Sequence, residues 1–294
     1  MISTQRILTS LQTSCLQISK IICNTNSLEL SSNTTQQNSS EETVKTLDEQ
    51  ANTILKQSLQ ELPEIRTIAS EEETTLLTVN PSGHYLVSFD PLDGSSNIGV
   101  NITIGTIFAI YQYSSHDESL TMGTQIVMAG YCLYGGSTQM IVATREEGVS
   151  ILQLQEGEFH PIKTNYFMPN QGNIVSHNYS NTLTYTDPRI AFWLEELIEN
   201  RKYSFRYVGS LVADAHRTLL TGGVFLYPAN QTHSQGKIRL LYEAFPMAFI
   251  FECAGGIVTN GDINILYLPF PEDPHQRTPI YMSSLQEYTY FSSI

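Results

Sequence analysis

The stretch Asp90-Pro91-Leu92-Asp93-Gly94-Ser95-Ser96-Asn97 follows directly on the apolar run Tyr85-Leu86-Val87-Ser88-Phe89. Two carboxylates three positions apart in a tight turn can converge on one cation. Gly94 lets backbone approach a ligand closely, and Ser95 and Ser96 at the start of a helix offer N–H groups and hydroxyls to a phosphate. Metal-assisted hydrolysis of a phosphate ester needs both sets of groups in one small volume. An Asp-x-x-Asp pair alone reads more readily as a surface turn with a helix cap; the Gly-Ser-Ser that follows shifts the reading to a metal and phosphate site. Pro91 has no N–H to give, which predicts that the strand stops there.

Two further acidic positions suit the same chemistry. In Ser70-Glu71-Glu72-Glu73, adjacent acids at a strand end project to opposite sides, so one can bridge cations while its neighbour polarises a water. A solvated loop is the competing reading of that run. Glu243 ends Arg239-Leu240-Leu241-Tyr242-Glu243 and precedes Phe245 and Met247. An acid in such an apolar context is seldom buried without a partner, and a salt bridge and a metal ligand both remain open.

The elements that must hold these residues read as an α/β chain. Ile7, Leu8, Leu11, Cys15, Ile18 and Ile22 recur at helical spacing, as do Val44, Leu47, Ala51, Ile54, Leu55 and Leu59. Between them Ser31 to Ser40 holds only Ser, Asn, Thr and Gln, which predicts a mobile loop over 26–46. A short strand leads into Ser70; strands follow over 84–90 and 102–112, two more around Gly135-Gly136, and one near 148–154. After Asp187-Pro188 the pattern changes to a helix reaching about Asn200, a helix near 210–220, the strand Val224 to Tyr227, and a helix over 244–254 closed by Gly255-Gly256. This divides the chain into a metal and phosphate lobe, 1–165, and an α/β substrate lobe, 166–294.

Composition limits the partners. At 294 residues, 41% of them hydrophobic, the chain can bury a substantial core. Its 15 Lys plus Arg against 29 Asp plus Glu give a formal charge of −14, a surface that repels nucleic acid and anionic lipid. A polyanionic substrate then needs cations held by clustered carboxylates, or a few basic side chains placed in one cleft. The four cysteines form no CxxC pair, so free thiols in a reducing compartment are expected rather than a zinc site or disulfide framework. No apolar run approaches the roughly 18 residues of a membrane span, and the N-terminus lacks a secretory pattern, so a cytoplasmic protein is expected, with a plastid location left open.

Taken together, these residues carry a resemblance over nearly the whole chain. Asp90 to Asn97, Ile104-Gly105-Thr106-Ile107-Phe108, Ala129 to Gly135, Arg206 to Ser210, Ala213-Asp214 with Arg217-Thr218-Leu219, and Gly223 to Asn230 with Lys237 and Leu240 to Glu243 resemble the fructose-1,6-bisphosphatase family. The Asp-Pro-Leu-Asp-Gly core alone is shared with inositol phosphatases and their lithium-sensitive relatives. The resemblance implies a layered αβαβα fold and hydrolysis of the 1-phosphate of fructose 1,6-bisphosphate. Glu71, Asp90, Asp93 and Glu243, with the Leu92 carbonyl, resemble ligands of two or three Mg²⁺ per subunit, for which Mn²⁺ or Zn²⁺ can substitute. Asp48 and Glu72 resemble the pair that activates water, and Glu42 stands where the family has an Asp on a mobile loop. Asp93, Gly94, Ser95 and Ser96 resemble the cradle of the reacting phosphate. Asn178, Tyr207, Tyr227 and Lys237 resemble the groups around the sugar and 6-phosphate, and Arg206 the arginine that a neighbouring subunit lends within a homotetramer.

The departures carry expectations of their own. Glu42 adds a methylene to the loop acid, and Asn181 replaces a tyrosine near the 6-phosphate. The chain starts close to the family's first long helix, and His84 and Gln112 stand where AMP-binding members carry basic residues, so inhibition by AMP is expected to be weak or absent. Tyr113 to Met128 is short and free of cysteine, unlike the light-regulated plastid forms. Two alternatives stay open: sedoheptulose-1,7-bisphosphatase activity, alone or alongside, and a catalytically silent sugar-phosphate-binding regulator.

Overall fold

The computed structural model describes residues 2–24, 47–114, 119–201 and 203–294; Glu42 and the whole of the predicted loop over 26–46 lie outside the described residues. Among these the helices are α1 (Ile2–Asn24), α2 (Leu47–Gln60), α3 (Pro188–Glu195), α4 (Leu211–Thr221), α5 (Phe245–Cys253) and α6 (Leu285–Phe291). Eight strands, β1 (Ile65–Ser70), β2 (Leu77–Thr78), β3 (Tyr85–Asp93), β4 (Ile104–Gln112), β5 (Ile126–Tyr134), β6 (Thr138–Thr144), β7 (Gly148–Gln155) and β8 (Glu158–Tyr166), form one sheet. Its order is β2-β1-β3-β4-β5-β6-β7-β8. Only the β1/β3 pair is parallel, with Ser70 opposite Phe89, so the acids after Ser70 emerge beside the end of β3.

Period-two alternation explains why β3 and β4 read as unbroken apolar runs. Val87, Phe89, Phe108 and Ile110 face α1 and α2, whose buried stripes include Ile7, Leu11, Leu55 and Leu59. Leu86, Ile107, Ala109 and Tyr111 face the other way, into the core shared with α4 and α5. A second sheet, of β9 (Ile174–Ser176), β10 (Ser204–Phe205), β11 (Val224–Tyr227), β13 (Ile257–Thr259) and β15 (Ile280–Ser283), packs on the far side of those helices in the order β10-β9-β11-β15-β13. β12 (Ile238–Arg239) and β14 (Arg277–Thr278) form a separate antiparallel pair. α5 is apolar on every face because both sheets cover it. Trp193 of α3 and Phe291 of α6 close the outer layer. The result is the expected layered αβαβα arrangement, and no described helix is long and apolar enough to cross a membrane.

Some expectations are overturned. β3 does not stop at Pro91 but runs to Asp93. The register slips between Asp90, paired with Ile107, and Asp93, paired with Gly105, so Pro91 sits in a bulge where its missing N–H costs no ladder bond. The Pro91 carbonyl is taken up instead by the Thr106 hydroxyl at 2.8 Å. The helix expected at Ser95 is a single 3₁₀ stretch, Ser95–Val100, bounded by left-handed residues at Gly94 and Asn101. The helix from Pro188 is α only to Glu195 and continues to Asn200 as a π turn. β8 escaped the sequence reading because it is a largely exposed edge strand with no apolar alternation. All four cysteines are free, as expected.

Candidate metal and phosphate site

The bulge aims both β3 carboxylates the same way. Asp90 Oδ1 accepts the Leu92 N–H at 2.9 Å, closing the turn locally. Asp93 Oδ2 accepts from the Val212 N–H at 2.8 Å, in the first turn of α4, and from the Ser210 hydroxyl at 3.3 Å. Glu243 arrives from a π turn, Leu240–Ala244, and its Oε2 accepts the Arg239 N–H at 2.6 Å. Asp90, Asp93 and Glu243 each offer an oxygen, and these oxygens lie within 4.8 Å of one another. All three side chains are buried.

Burial, reinforced by repulsion from neighbouring acids, pushes all three carboxyls up: Asp93 to about 7, Asp90 and Glu243 well above the ordinary carboxylate range. Three converging acids that repel one another in a dry pocket require a multivalent counter-charge to be ionised together. An all-oxygen donor set of this kind fits a hard divalent cation such as Mg²⁺. Glu71 adjoins the cluster, hydrogen-bonding Asp90, and forms an ion pair with Arg239 at 2.9 Å.

Asp48 on α2 and Glu72 complete the acidic wall. The Asp48 carboxyl is raised chiefly by burial, with the neighbouring Ser95 hydroxyl pulling the other way. Glu72 is raised by burial first and then by the charges of Asp48 and Glu71. Elevation of this kind suits proton acceptors working near neutral pH. The turn carrying Glu71 and Glu72 is tied to α2: the Ser70 hydroxyl donates to Asn52 at 2.8 Å, the Asn52 amide donates to Glu73 at 2.9 Å, and Lys56 ion-pairs with Glu73.

Gly94 has φ +79, and a Cβ there would lie 2.8 Å from the Ser210 hydroxyl, so only glycine fits between the phosphate cradle and α4. One cleft of about 420 Å³ collects Asp48, Glu71, Glu72, Asp90, Leu92, Asp93 and Glu243 with the cradle Gly94, Ser95 and Ser96. The same cleft is also lined by Asn178, Tyr207, Tyr227 and Lys237, and its volume suits a small phosphorylated molecule. Lys237 Nζ lies 5.8 Å from the centre of the Tyr227 ring. Arg206 is not brought in; it is exposed, and its guanidinium donates to the Phe205 carbonyl.

Among the lining residues that escaped the sequence reading as site residues are Arg239, Ser210 and Asp214. Asp214 is fully buried and accepts from the Val208 and Gly209 N–H groups and the Ser176 hydroxyl, at 2.9 to 3.0 Å, while ion-paired to Arg217. It thereby fixes the loop that presents Tyr207 and Ser210. A larger cleft, about 1540 Å³, lies elsewhere between α1 and the first sheet; its lining includes Arg6, Gln112 and Arg145 but none of the clustered acids.

With this geometry in place, known proteins show the kinship. The profile described as Fructose-1-6-bisphosphatase, N-terminal domain, matches residues 3–164, and that of the C-terminal domain matches 168–294. Fructose-1,6-bisphosphatase class 1 of Chlorobium phaeobacteroides is 43% identical over 261 residues, covering 84% of this chain and 78% of that protein. Fructose-1,6-bisphosphatase 1 of Mus musculus is 41% identical over 268 residues, covering 85% and 77%. The crystal structure of Leishmania major fructose-1,6-bisphosphatase in holo form superposes with a TM-score of 0.90 at 33% identity, covering 99% of this chain and 94% of that one. Profiles that span both halves of the chain, and relatives this similar over most of it, show that it belongs to the fructose-1,6-bisphosphatase family.

Proposed function

We infer that this chain hydrolyses the 1-phosphate of fructose 1,6-bisphosphate to fructose 6-phosphate and inorganic phosphate. The observation that carries the inference is the buried Asp90, Asp93 and Glu243 cluster sharing one cleft with the Gly94-Ser95-Ser96 cradle and with Lys237. Divalent cations held by Asp90, Asp93, Glu243, Glu71 and the Leu92 carbonyl, Mg²⁺ first among them, would supply charge neutralisation and acidify a water. The chain's own groups do the rest. The cradle N–H groups and hydroxyls orient the reacting phosphate for in-line attack, and Asp48 and Glu72 accept the proton of the incoming water. Glu42 is assigned to the same proton and cation chemistry on resemblance alone. Lys237, Asn178, Tyr207 and Tyr227 bind the sugar and the distal phosphate, the tyrosines contributing O–H groups and ring faces.

Further parts of the reading rest on less. We divide the chain into lobes at 165/166, just before the last residue of β8, so that each lobe carries one of the two larger sheets. The free thiols support a reducing compartment, and we place the protein in the cytoplasm. We also propose a homotetramer: Arg206 lies outside its own cleft, next to exposed Phe205, whose ring contacts exposed Tyr179, where a neighbouring subunit could receive it.

The deciding experiment is phosphate release from fructose 1,6-bisphosphate with and without Mg²⁺, run beside sedoheptulose 1,7-bisphosphate. Mg²⁺-dependent turnover of the six-carbon sugar is expected, with Asp93→Ala folded but nearly inactive. Full turnover by Asp93→Ala removes the assignment of the cluster, and a preference for the seven-carbon sugar moves the substrate.

A further inference from the structure

The π turn that delivers Glu243 leaves one carbonyl without a backbone partner. In this turn the Phe245 N–H bonds to the Leu240 carbonyl, one residue further back than in an α-helix. The Leu241 carbonyl would then look to residue 246 for its donor, but Pro246 has no N–H. Two hydroxyls from the first sheet fill the gap: Ser88 of β3 donates to the Leu241 carbonyl at 3.1 Å and Tyr111 of β4 at 3.2 Å. Ser88, Tyr111 and Leu241 are all fully buried, so no solvent replaces these bonds.

The spacing gives the latch its consequence. Ser88 lies two residues before Asp90 on the same face of β3, and Leu241 lies two residues before Glu243. The Ser88 bond to Leu241 therefore clamps one end of a short, two-sided frame whose other end is the Asp90 and Glu243 pair. Without the hydroxyls, the unpaired Leu241 carbonyl is best satisfied by the Phe245 N–H, which converts the π turn to α register. A one-residue change of register rotates side chains by roughly 100° about the helix axis, enough to take Glu243 off the cluster.

We propose that Ser88 and Tyr111 are positioning residues for the cation site, acting through the Leu241 carbonyl to hold the π register that aims Glu243 at Asp90 and Asp93. The proposal rests on the cation reading of the cluster given above. Neither residue lines the cleft, and each acts on the site through backbone. Groups that orient a ligand without touching the metal typically hold roughly 10- to 100-fold in metal affinity.

The test titrates Mn²⁺ into the full chain without substrate, reading free Mn²⁺ by electron paramagnetic resonance, for wild type, Tyr111→Phe, Ser88→Ala, the double variant and Glu243→Gln. Tyr111→Phe keeps the ring, with its edge-on contacts to Phe245 and Phe270, and so preserves packing. Each single variant is expected to weaken Mn²⁺ several-fold and the double variant roughly 10- to 100-fold. A merely structural role would lower the melting temperature and leave Mn²⁺ affinity of the folded protein unchanged. If Tyr111→Phe binds Mn²⁺ within twofold of wild type while Glu243→Gln is clearly weakened, the latch is refuted. If Glu243→Gln also binds like wild type, the cation reading itself falls and the latch with it. Should the double variant fail to fold, Tyr111→Phe alone decides.

Discussion

The metal-free protein should become more stable when one of its own site carboxylates is removed. Asp93 is pushed up from 3.8 to about 7, chiefly by burial. A carboxyl raised on folding contributes stability that is complete below its unfolded value and is lost as pH climbs through the folded one, at about 1.4 kcal/mol per pH unit. Between 3.8 and about 7 that amounts to about 4 kcal/mol lost by the wild type at pH 8 without metal. Asp93→Asn escapes the loss but weakens the bonds from the Val212 N–H and the Ser210 hydroxyl, at a cost of about 1 kcal/mol. The variant should therefore gain about 3 kcal/mol at pH 8, which for a chain of this size moves the urea midpoint up by about 1 M. The assay is urea unfolding in EDTA at pH 5 and pH 8, followed by the fluorescence of Trp193, the chain's one tryptophan, which is buried. At pH 5 the two proteins should lie within about 1 kcal/mol of each other. Adding Mg²⁺ at pH 8 should raise the wild type and leave Asp93→Asn nearly where it was. Wild-type stability that is flat or rising from pH 5 to 8 in EDTA would refute the reasoning, because the cluster would then not be repelling itself.

Gly94→Ala puts a Cβ at φ +79 and 2.8 Å from the Ser210 hydroxyl. The strain is about 1–2 kcal/mol and the cradle moves, so kcat/KM should fall at least about 100-fold; a value within tenfold of wild type would show that the close fit is irrelevant. His216, lowered by burial to about 4, should make the protein lose stability as pH falls from 6.5, by about 2–3 kcal/mol at pH 4.5, and His216→Gln should make that acid limb shallower in urea titrations, His177, lowered likewise, supplying the remainder; an unchanged slope would remove His216 as a source. AMP at micromolar concentrations should leave the rate nearly unchanged in an inhibition assay, and strong inhibition there would contradict the expectation. In the large cleft that contains Gln112, Arg6 and Arg145 are already ion-paired to Glu64 and Glu252, leaving little free charge to attract a phosphate.

What could be read without coordinates was what is local in the chain. The octet from Asp90 announces itself because ligands, glycine and cradle hydroxyls are consecutive, and the core strands because both their faces are apolar. What could not be read depends on a partner far along the chain. A salt bridge stays open for Glu243 in the sequence, yet the side chain of Arg239 goes to Glu71 and only its N–H serves Glu243. Asp214 looks like an acid placed in a first helical turn for the dipole, yet its carboxylate organises the loop before that helix. Some of what could not be read gathers at the site. A proline inside a strand and a π turn running into Pro246 each break a local rule, and both segments carry acids that line the cleft. Regular β3 would point Asp90 and Asp93 to opposite faces of the sheet, since odd spacing alternates sides. Only the bulge at Pro91 sends both the same way, and only the π register turns Glu243 to meet them. Local propensity is overridden where convergence of like charges must be enforced, and the covalent sequence shows the override as a misplaced proline before it shows what the proline is for.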